Sequence, residues 1–245
     1  MNTNYHLSVD TGRLAIENGT ANPKWFRPDV DPHNIRNLMQ KSDAIAIRDT
    51  AIWLGMMIVS AGCAVALWPS VWSVPFWLVY GVLYGSAADS RWHECGHKTA
   101  FKTTWMNNAV YQLASFMIMR NPAIWQASHV RHHTDTIIVG RDPEIVAMRP
   151  PDLARIALAF VGVVDVYIAF KRMILHASGR IDPEEATYVA AKDHAKVFRV
   201  ARIWLFIYGC TIAAAILMTS LLPLMLIVFP RLYGAWHHVL TGLLQ

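Results

Sequence analysis

Two long stretches of the chain carry no charged side chain, one from residue 50 to residue 88 and one from residue 203 to residue 230. A helix that crosses a bilayer needs about 20 mainly apolar residues. Each stretch is long enough for one crossing helix and for at least the first part of a second. Prolines interrupt both stretches, at Pro69 and Pro75 in the first and at Pro223 in the second. The pattern predicts four spanning helices, near residues 50–68, 74–92, 203–222 and 224–244.

A third apolar segment, residues 153–170, has spanning length but contains Arg155 and Asp165. The residues that follow it, 171–202, hold seven Lys or Arg side chains. Basic residues concentrate in cytoplasmic loops, so a crossing here would put this stretch on the wrong side. We therefore expect the segment to lie along the membrane surface. With this arrangement, 21 of the 22 Lys and Arg residues fall on one side, which we assign to the cytoplasm.

The composition agrees with an integral membrane protein. Hydrophobic residues make up 54% of the chain and charged residues 16%, whereas soluble proteins average about 25% charged residues. Three scattered cysteines do not make a disulfide framework. The first 49 residues are polar and show no apolar targeting segment. We expect a cytoplasmic polar leader, residues 1–49, and a membrane domain, residues 50–245. The fold should be all-α, with two transmembrane helical hairpins and a cytoplasmic helical cap.

Five of the eleven histidines lie in two clusters on the predicted cytoplasmic side. His93 and His97 stand where the second predicted helix leaves the membrane, and His129, His132 and His133 follow. Residues three or four apart share one face of a helix, so the side chains of each cluster should point the same way. Neutral imidazole binds first-row transition metals, and five imidazoles are more than one tetrahedral zinc uses. The clusters predict most of a metal centre with all five histidines as ligands.

The first cluster, His93-Glu94-Cys95-Gly96-His97, also satisfies the H-E-x-x-H pattern of zinc metalloproteases. In that interpretation His93 and His97 bind zinc and Glu94 is the general base. A site with three protein ligands would leave the second cluster without a role. A membrane metalloprotease is therefore the alternative hypothesis.

The order of these features resembles the membrane fatty acid desaturase/hydroxylase superfamily, which includes alkane hydroxylase-like monooxygenases. H-x-x-x-H follows a transmembrane hairpin, and H-x-x-H-H follows on the same side. The resemblance implies a non-haem centre of two iron ions that uses O2 to desaturate or hydroxylate a fatty acyl lipid or hydrocarbon chain. It also implies an external electron donor of the ferredoxin or rubredoxin type and a location in the bacterial inner membrane. The distribution of basic residues predicts that the N-terminus and the histidines are cytoplasmic. We expect no nucleic-acid partner.

The sequence departs from the family pattern in one respect. The family has a third histidine box and a further ligand near the last spanning helix. The sequence shows neither, and Gln245 falls about where that ligand is expected. We therefore expect a chain that lacks its C-terminal part, binds at most one iron firmly and does not turn over a lipid. His237 and His238 are candidates for the missing ligand, although an internal hydrogen-bonded role suits their depth in the last helix better. A third hypothesis is a catalytically inactive membrane metal-binding relative.

Carboxylates near the two clusters are candidate partners of the ligands, because metal-bound imidazoles commonly donate their second N–H to an acid. Asp89 lies one turn before His93, and Asp135 and Asp142 follow the second cluster closely. The other histidines, at positions 6, 33, 176 and 194, stand in polar surroundings, and we expect them at the surface.

Overall fold

The computed structural model describes residues 7–21, 28–145 and 150–243, and these residues form an all-α structure. Up to the second histidine cluster the helices are α1 (Val9–Glu17), α2 (Pro32–Leu38), α3 (Asp43–Ala66), α4 (Val74–Val82), α5 (Ala88–Gly96), α6 (Thr104–Met117) and α7 (Pro122–Asp135). The later helices are α8 (Leu153–Ala159), α9 (Val163–Ala177), α10 (His194–Leu217), α11 (Leu222–Ile227) and α12 (Pro230–Leu243).

Within the part of the chain that the structure describes, three helical segments are long and apolar enough to cross a membrane. They overlap the first, second and third predicted crossings, and they run over Pro32–Ala66, Val71–Gly96 and Ala191–Leu217. Helices α8 and α9 also pass this test together, although they meet at a bend of 78°. The bend falls at Gly162, whose φ of +63° is costly for a side chain with a Cβ. By length and composition, the described residues therefore provide three candidate crossing helices, or four if α8 and α9 form one broken crossing, and the surface position of 153–170 stays a prediction.

The structure differs from the sequence prediction in the last crossing. Residues 224–244 were expected to form one helix, but α11 has only 6 residues and α12 has 14. Pro230 starts α12, and a proline cannot continue a helix because it lacks an amide hydrogen and its ring clashes with the carbonyl four residues earlier. The two short helices replace the fourth continuous crossing.

Helix α12 crosses α4 at close range because glycines line the contact. A Cβ added at Gly234 would overlap the backbone of Gly81, and one added at Gly81 would lie 2.5 Å from the ring of Tyr233. Gly81 and Gly85 are four residues apart, the small-residue spacing that lets two helix backbones approach closely within a membrane. The crossing brings α12 against the turn that leads to the first histidine cluster.

That turn is a single π-helical turn, Leu83–Ala87, inserted between α4 and α5. Two side chains from α12 hold it. The buried Arg231 donates from Nη1 to the carbonyl oxygen of Gly85 at 2.8 Å, and His237 Nδ1 lies 2.8 Å from the hydroxyl of Ser86. A π-turn inside an α-helix commonly occurs beside a functional site, since the extra residue changes the direction in which the next turn presents its side chains. Here helix α5, which follows the π-turn directly, carries His93.

One isolated histidine is not where the sequence predicted it. His176 is only 3% exposed, and its Nε2 lies 2.6 Å from a carboxylate oxygen of the buried Glu185. The polar composition around position 176 suggested a surface residue, but a buried carboxylate nine residues later compensates the imidazole. His6 lies outside the described residues, and the structure therefore does not address its expected position.

Candidate metal centre

Two helices present the histidine clusters to each other. His93 lies in the last turn of α5, and His97 follows the helix as its C-terminal cap. The second cluster lies on α7, whose N-terminus is capped. Asn121 caps it by accepting a hydrogen bond from the amide of Ala123 at 3.1 Å, and Pro122 occupies the first helical position, where its missing amide hydrogen costs nothing.

Four of the five predicted ligands converge through their Nε2 atoms. The Nε2 of His129 lies 3.0 Å from that of His93, 2.9 Å from that of His97 and 3.0 Å from that of His133. His97 Nε2 lies 3.1 Å from that of His93 and 3.4 Å from that of His133. A tetrahedral ion with metal–nitrogen distances of about 2.0–2.1 Å separates its ligand atoms by about 3.3 Å. The donor set therefore fits one first-row metal ion, and it is the only such group of three or more ligands within residues 7–21, 28–145 and 150–243.

His132 does not join this group. Its Nδ1 lies 2.9 Å and 3.0 Å from the two carboxylate oxygens of Asp142. Successive residues of an α-helix point about 100° apart, so His132 and His133 cannot both face the point that His129 faces. Four of the five predicted ligands therefore converge on one point, and a ligand role for His132 stays a prediction.

A carboxylate that the sequence analysis missed supports His129. One oxygen of Glu144 lies 2.8 Å from His129 Nδ1, and the other accepts from the hydroxyl of Ser128 at 2.8 Å. When Nδ1–H donates to the acid, the lone pair resides on Nε2, which is the atom that faces the other imidazoles. The sequence did offer a signal for this contact, since Glu144 follows Asp142 in Asp142-Pro143-Glu144, just after the second cluster.

Two of the converging histidines, His97 and His129, have a lowered pKa. Burial lowers the pKa of His129, and this effect outweighs the Glu144 carboxylate, which raises it. Desolvation inside the cluster lowers the pKa of His97, and repulsion from His93 and His133 adds to it. Only neutral imidazole binds a metal ion, so the cluster holds these ligands in the required form at neutral pH.

The three carboxylates predicted to support the ligands make different contacts in the structure. Asp142 contacts His132, as proposed. Asp135 instead pairs with two arginines, with oxygens 2.8 Å from Arg141 and 3.7 Å from Arg131. Asp89 lies 3.7 Å from a nitrogen of Arg120 and 3.7 Å from His238 Nδ1. The ion pairs described for Asp89 are therefore with residues outside the four converging histidines.

Neither C-terminal histidine belongs to the group of four. His237 contacts Ser86 through Nδ1, as the internal hydrogen-bonded role predicted, and His238 lies beside Asp89. Gln245, the position considered for a further ligand, lies outside the described residues.

The geometry disfavours a catalytic zinc site of the metalloprotease type. Such a site has three protein ligands and leaves its fourth position open for water. Here four imidazoles surround one point. The side chain of Glu94, the candidate general base, is 53% exposed and lies 3.5 Å from Arg91.

Comparison with known proteins adds an independent observation. A model of the family described as fatty acid desaturase matches residues 67–245. The bifunctional fatty acid conjugase/Delta(12)-oleate desaturase of Punica granatum is 31% identical over 126 residues, which are 49% of this chain and 31% of that protein. The omega-6 fatty acid desaturase, endoplasmic reticulum isozyme 1, of Glycine max is 27% identical over 124 residues, 49% of this chain and 31% of its own.

The Delta(12)-fatty-acid desaturase of Arabidopsis thaliana is 26% identical over 139 residues, 56% of this chain and 36% of its own. The chain thus spans about a third of the length of the curated relatives that it matches. No solved structure matches the chain significantly.

Proposed function

This chain belongs to the fatty acid desaturase family, and we propose that it oxidises the acyl chain of a membrane lipid at a histidine-bound iron centre. The observation that carries the proposal is the convergence of four Nε2 atoms, from His93, His97, His129 and His133, at 2.9–3.4 Å for the five closest pairs. Neutral imidazole suits iron, and neighbouring crossing helices would keep the site close to lipid.

The four converging histidines would hold one iron ion. His132 is our candidate ligand for a second iron, which the family resemblance implies. Asp142 engages its Nδ1, so its Nε2 is the atom that would carry the free lone pair. Iron, when bound, would supply the reduction of O2 and the removal of hydrogen from an unactivated C–H bond.

The residues of this chain have a positioning role in that chemistry. Glu144 and Asp142 accept from the Nδ1–H groups of His129 and His132 and thereby fix which nitrogen of each ring faces the metal. The helices α5 and α7 keep the two clusters at a fixed separation, because Trp92 and Trp125 pack together between them. A preformed ligand set of this kind loses little conformational entropy when a metal binds.

We propose desaturation as the reaction, with hydroxylation as the variant that the same site chemistry permits. The names of the plant relatives, which are desaturases, support this choice. Desaturation removes two hydrogens from the acyl chain while O2 becomes two waters, and the balance requires two further electrons and two protons. An external donor of the ferredoxin or rubredoxin type would supply the electrons. The basic cytoplasmic side of the chain suits a small acidic carrier, since complementary charge speeds encounter.

The proposal is tested with the protein in its own membrane. Wild type and His97→Ala are produced in the same lipid-rich host with an electron donor, and lipids are analysed for new double bonds or hydroxyl groups. Iron content is measured on both purified proteins, with His33→Ala as the matched histidine control. In contrast to the expectation from the sequence that the chain does not turn over a lipid, the proposal predicts iron and oxidised acyl product in wild type and the control only. Wild type with bound iron and no product would favour the inactive relative, and wild type without iron would overturn the iron centre.

A further inference from the structure

We infer that Trp125 is a positioning residue of the metal centre, and that Gly96 lies in the first cluster to make room for its indole ring. The inference rests on the proposed function, because it concerns how the imidazoles are held for the metal. It adds a role for two residues that are not ligands.

The ring of Trp125 contacts three of the four converging imidazoles. It stacks on His129 with ring centroids 4.2 Å apart and an angle of 23° between the planes. The edges of His93 and His97 meet it at 5.8 Å and 6.2 Å, with planes close to perpendicular. One rigid ring therefore limits the rotation of ligands from both helices, α5 and α7. Aromatic pairs in these geometries are favourable beyond the area they bury.

Other aromatic side chains hold Trp125 itself. Its centroid lies 3.9 Å from that of Trp92 and 5.8 Å from that of Tyr111, and it is only 6% exposed. The hydroxyl of Tyr111 donates to the carbonyl oxygen of Pro122 at 2.6 Å, at the start of the helix that carries Trp125. The indole is thus fixed between α5, α6 and α7, and it does not move when an imidazole rotates.

Gly96 has no conformational reason to be a glycine. It is the last residue of α5, and its backbone does not have a positive φ. The reason lies in space, because a Cβ at this position would lie 2.7 Å from Cη2 of Trp125 and would overlap Cζ3. An alanine at position 96 must therefore displace the indole from His129 or push α5 away from α7.

The contribution of Trp125 comes from the shape and stacking of its ring. Its buried indole N–H has no hydrogen-bond partner among the described residues, so it does not act through the nitrogen. Trp77 shares these properties, being 4% exposed with an unpartnered N–H, yet it packs against Tyr80 and Tyr233 instead of the histidines. Trp77 is consequently a matched control for the loss of a buried indole.

The experiment is Co(II) titration of the full chain in detergent or nanodiscs, followed by visible absorption, which reports both affinity and coordination geometry. Trp125→Ala should weaken Co(II) binding by roughly 10–100-fold, the range found when groups that orient ligands are removed, and should change the absorption spectrum. Trp125→Phe, which keeps a ring against His129, should restore most of both. Gly96→Ala should weaken binding in the wild-type background but add nothing in the Trp125→Ala background, since its clash is with the missing ring. The controls are Trp77→Ala and Gly62→Ala, the latter because no atom lies within 4 Å of its added Cβ.

The outcomes separate this inference from the proposed function. Folded Trp125→Ala protein with wild-type affinity and spectrum would overturn the positioning role while the metal centre stands. Equal losses in Trp125→Ala and Trp77→Ala would also overturn it, because they would report general destabilisation. Failure of wild type to bind Co(II) would refute the metal centre itself, and with it any positioning role.

Discussion

Glu144 should control the affinity of the cluster for metal through His129. Its carboxylate lies 2.8 Å from His129 Nδ1 and also accepts from Ser128. A hydrogen bond to a charged group contributes about 1.5–3 kcal/mol, and one between neutral groups contributes about 0.5–1.5 kcal/mol. Glu144→Gln keeps an acceptor but removes the charge, so it should cost about 1 kcal/mol, or roughly fivefold in affinity. Glu144→Ala removes the partner altogether and should cost roughly 10–100-fold.

The protonation of His129 does not explain the expected loss. The carboxylate raises the pKa of His129 and burial lowers it, with burial prevailing. Removing the carboxylate lowers that pKa further, so the imidazole stays neutral from neutral to mildly alkaline pH. The loss should therefore be constant over that range, because it comes from the orientation and basicity of the ring.

The assay is competitive Zn(II) titration of the purified protein at several pH values. Glu94→Gln is the matched control, since its exposed carboxylate pairs with Arg91 and has no hydrogen bond to an imidazole among the described residues. We expect wild-type affinity from the control and the graded loss from the two Glu144 variants. Unchanged affinity in Glu144→Ala would refute the reasoning. A proteolytic activity abolished by Glu94→Gln would instead support the metalloprotease.

Three further predictions concern the ligands, the helix packing and the topology. His132→Ala should weaken the first metal site much less than His97→Ala, because His132 lies outside the four converging nitrogens; equal losses in metal titration would contradict this. Gly234→Ala should lower the midpoint of thermal unfolding, because overpacking of this kind costs about 1–3 kcal/mol. Gly242→Ala should leave the midpoint unchanged, because the space around its added Cβ is open. Equal midpoints for the two variants would refute the close crossing of α12 and α4. A cysteine introduced at the exposed Ser178 should react with an impermeant thiol reagent only from the cytoplasmic side, and labelling from outside would overturn the predicted topology.

The sequence was sufficient for features that depend on one segment at a time. Uncharged length predicted the first three crossings. Helical spacing within each cluster predicted that His93 and His97 share a face, and their position at a membrane exit predicted that the second cluster would meet them. Local patterns of this kind can be read because the helix repeat and the thickness of the bilayer are fixed.

The sequence was insufficient where two segments decide the outcome together. The support of His129 by Glu144 depends on how the chain after α7 folds back, and spacing alone does not reveal that. Pairing with Glu185 made His176 a buried residue in a polar segment. The break at Pro230 was readable from the sequence, because a proline does not continue a helix, but the predicted last crossing ran through it. His132 lies outside the four converging nitrogens because successive helical residues point about 100° apart, and its role as a metal ligand stays a prediction.

X-ray absorption at the iron edge is the most direct test of the central claim, that the four converging histidines form an iron centre. The protein is reconstituted with Fe(II) in nanodiscs, and wild type is compared with a variant in which His93, His97, His129 and His133 are all alanine. The account predicts iron in wild type surrounded by imidazole nitrogens at about 2 Å, and no such scattering in the variant. Iron bound equally by both proteins, or wild-type iron without imidazole scattering, would contradict it.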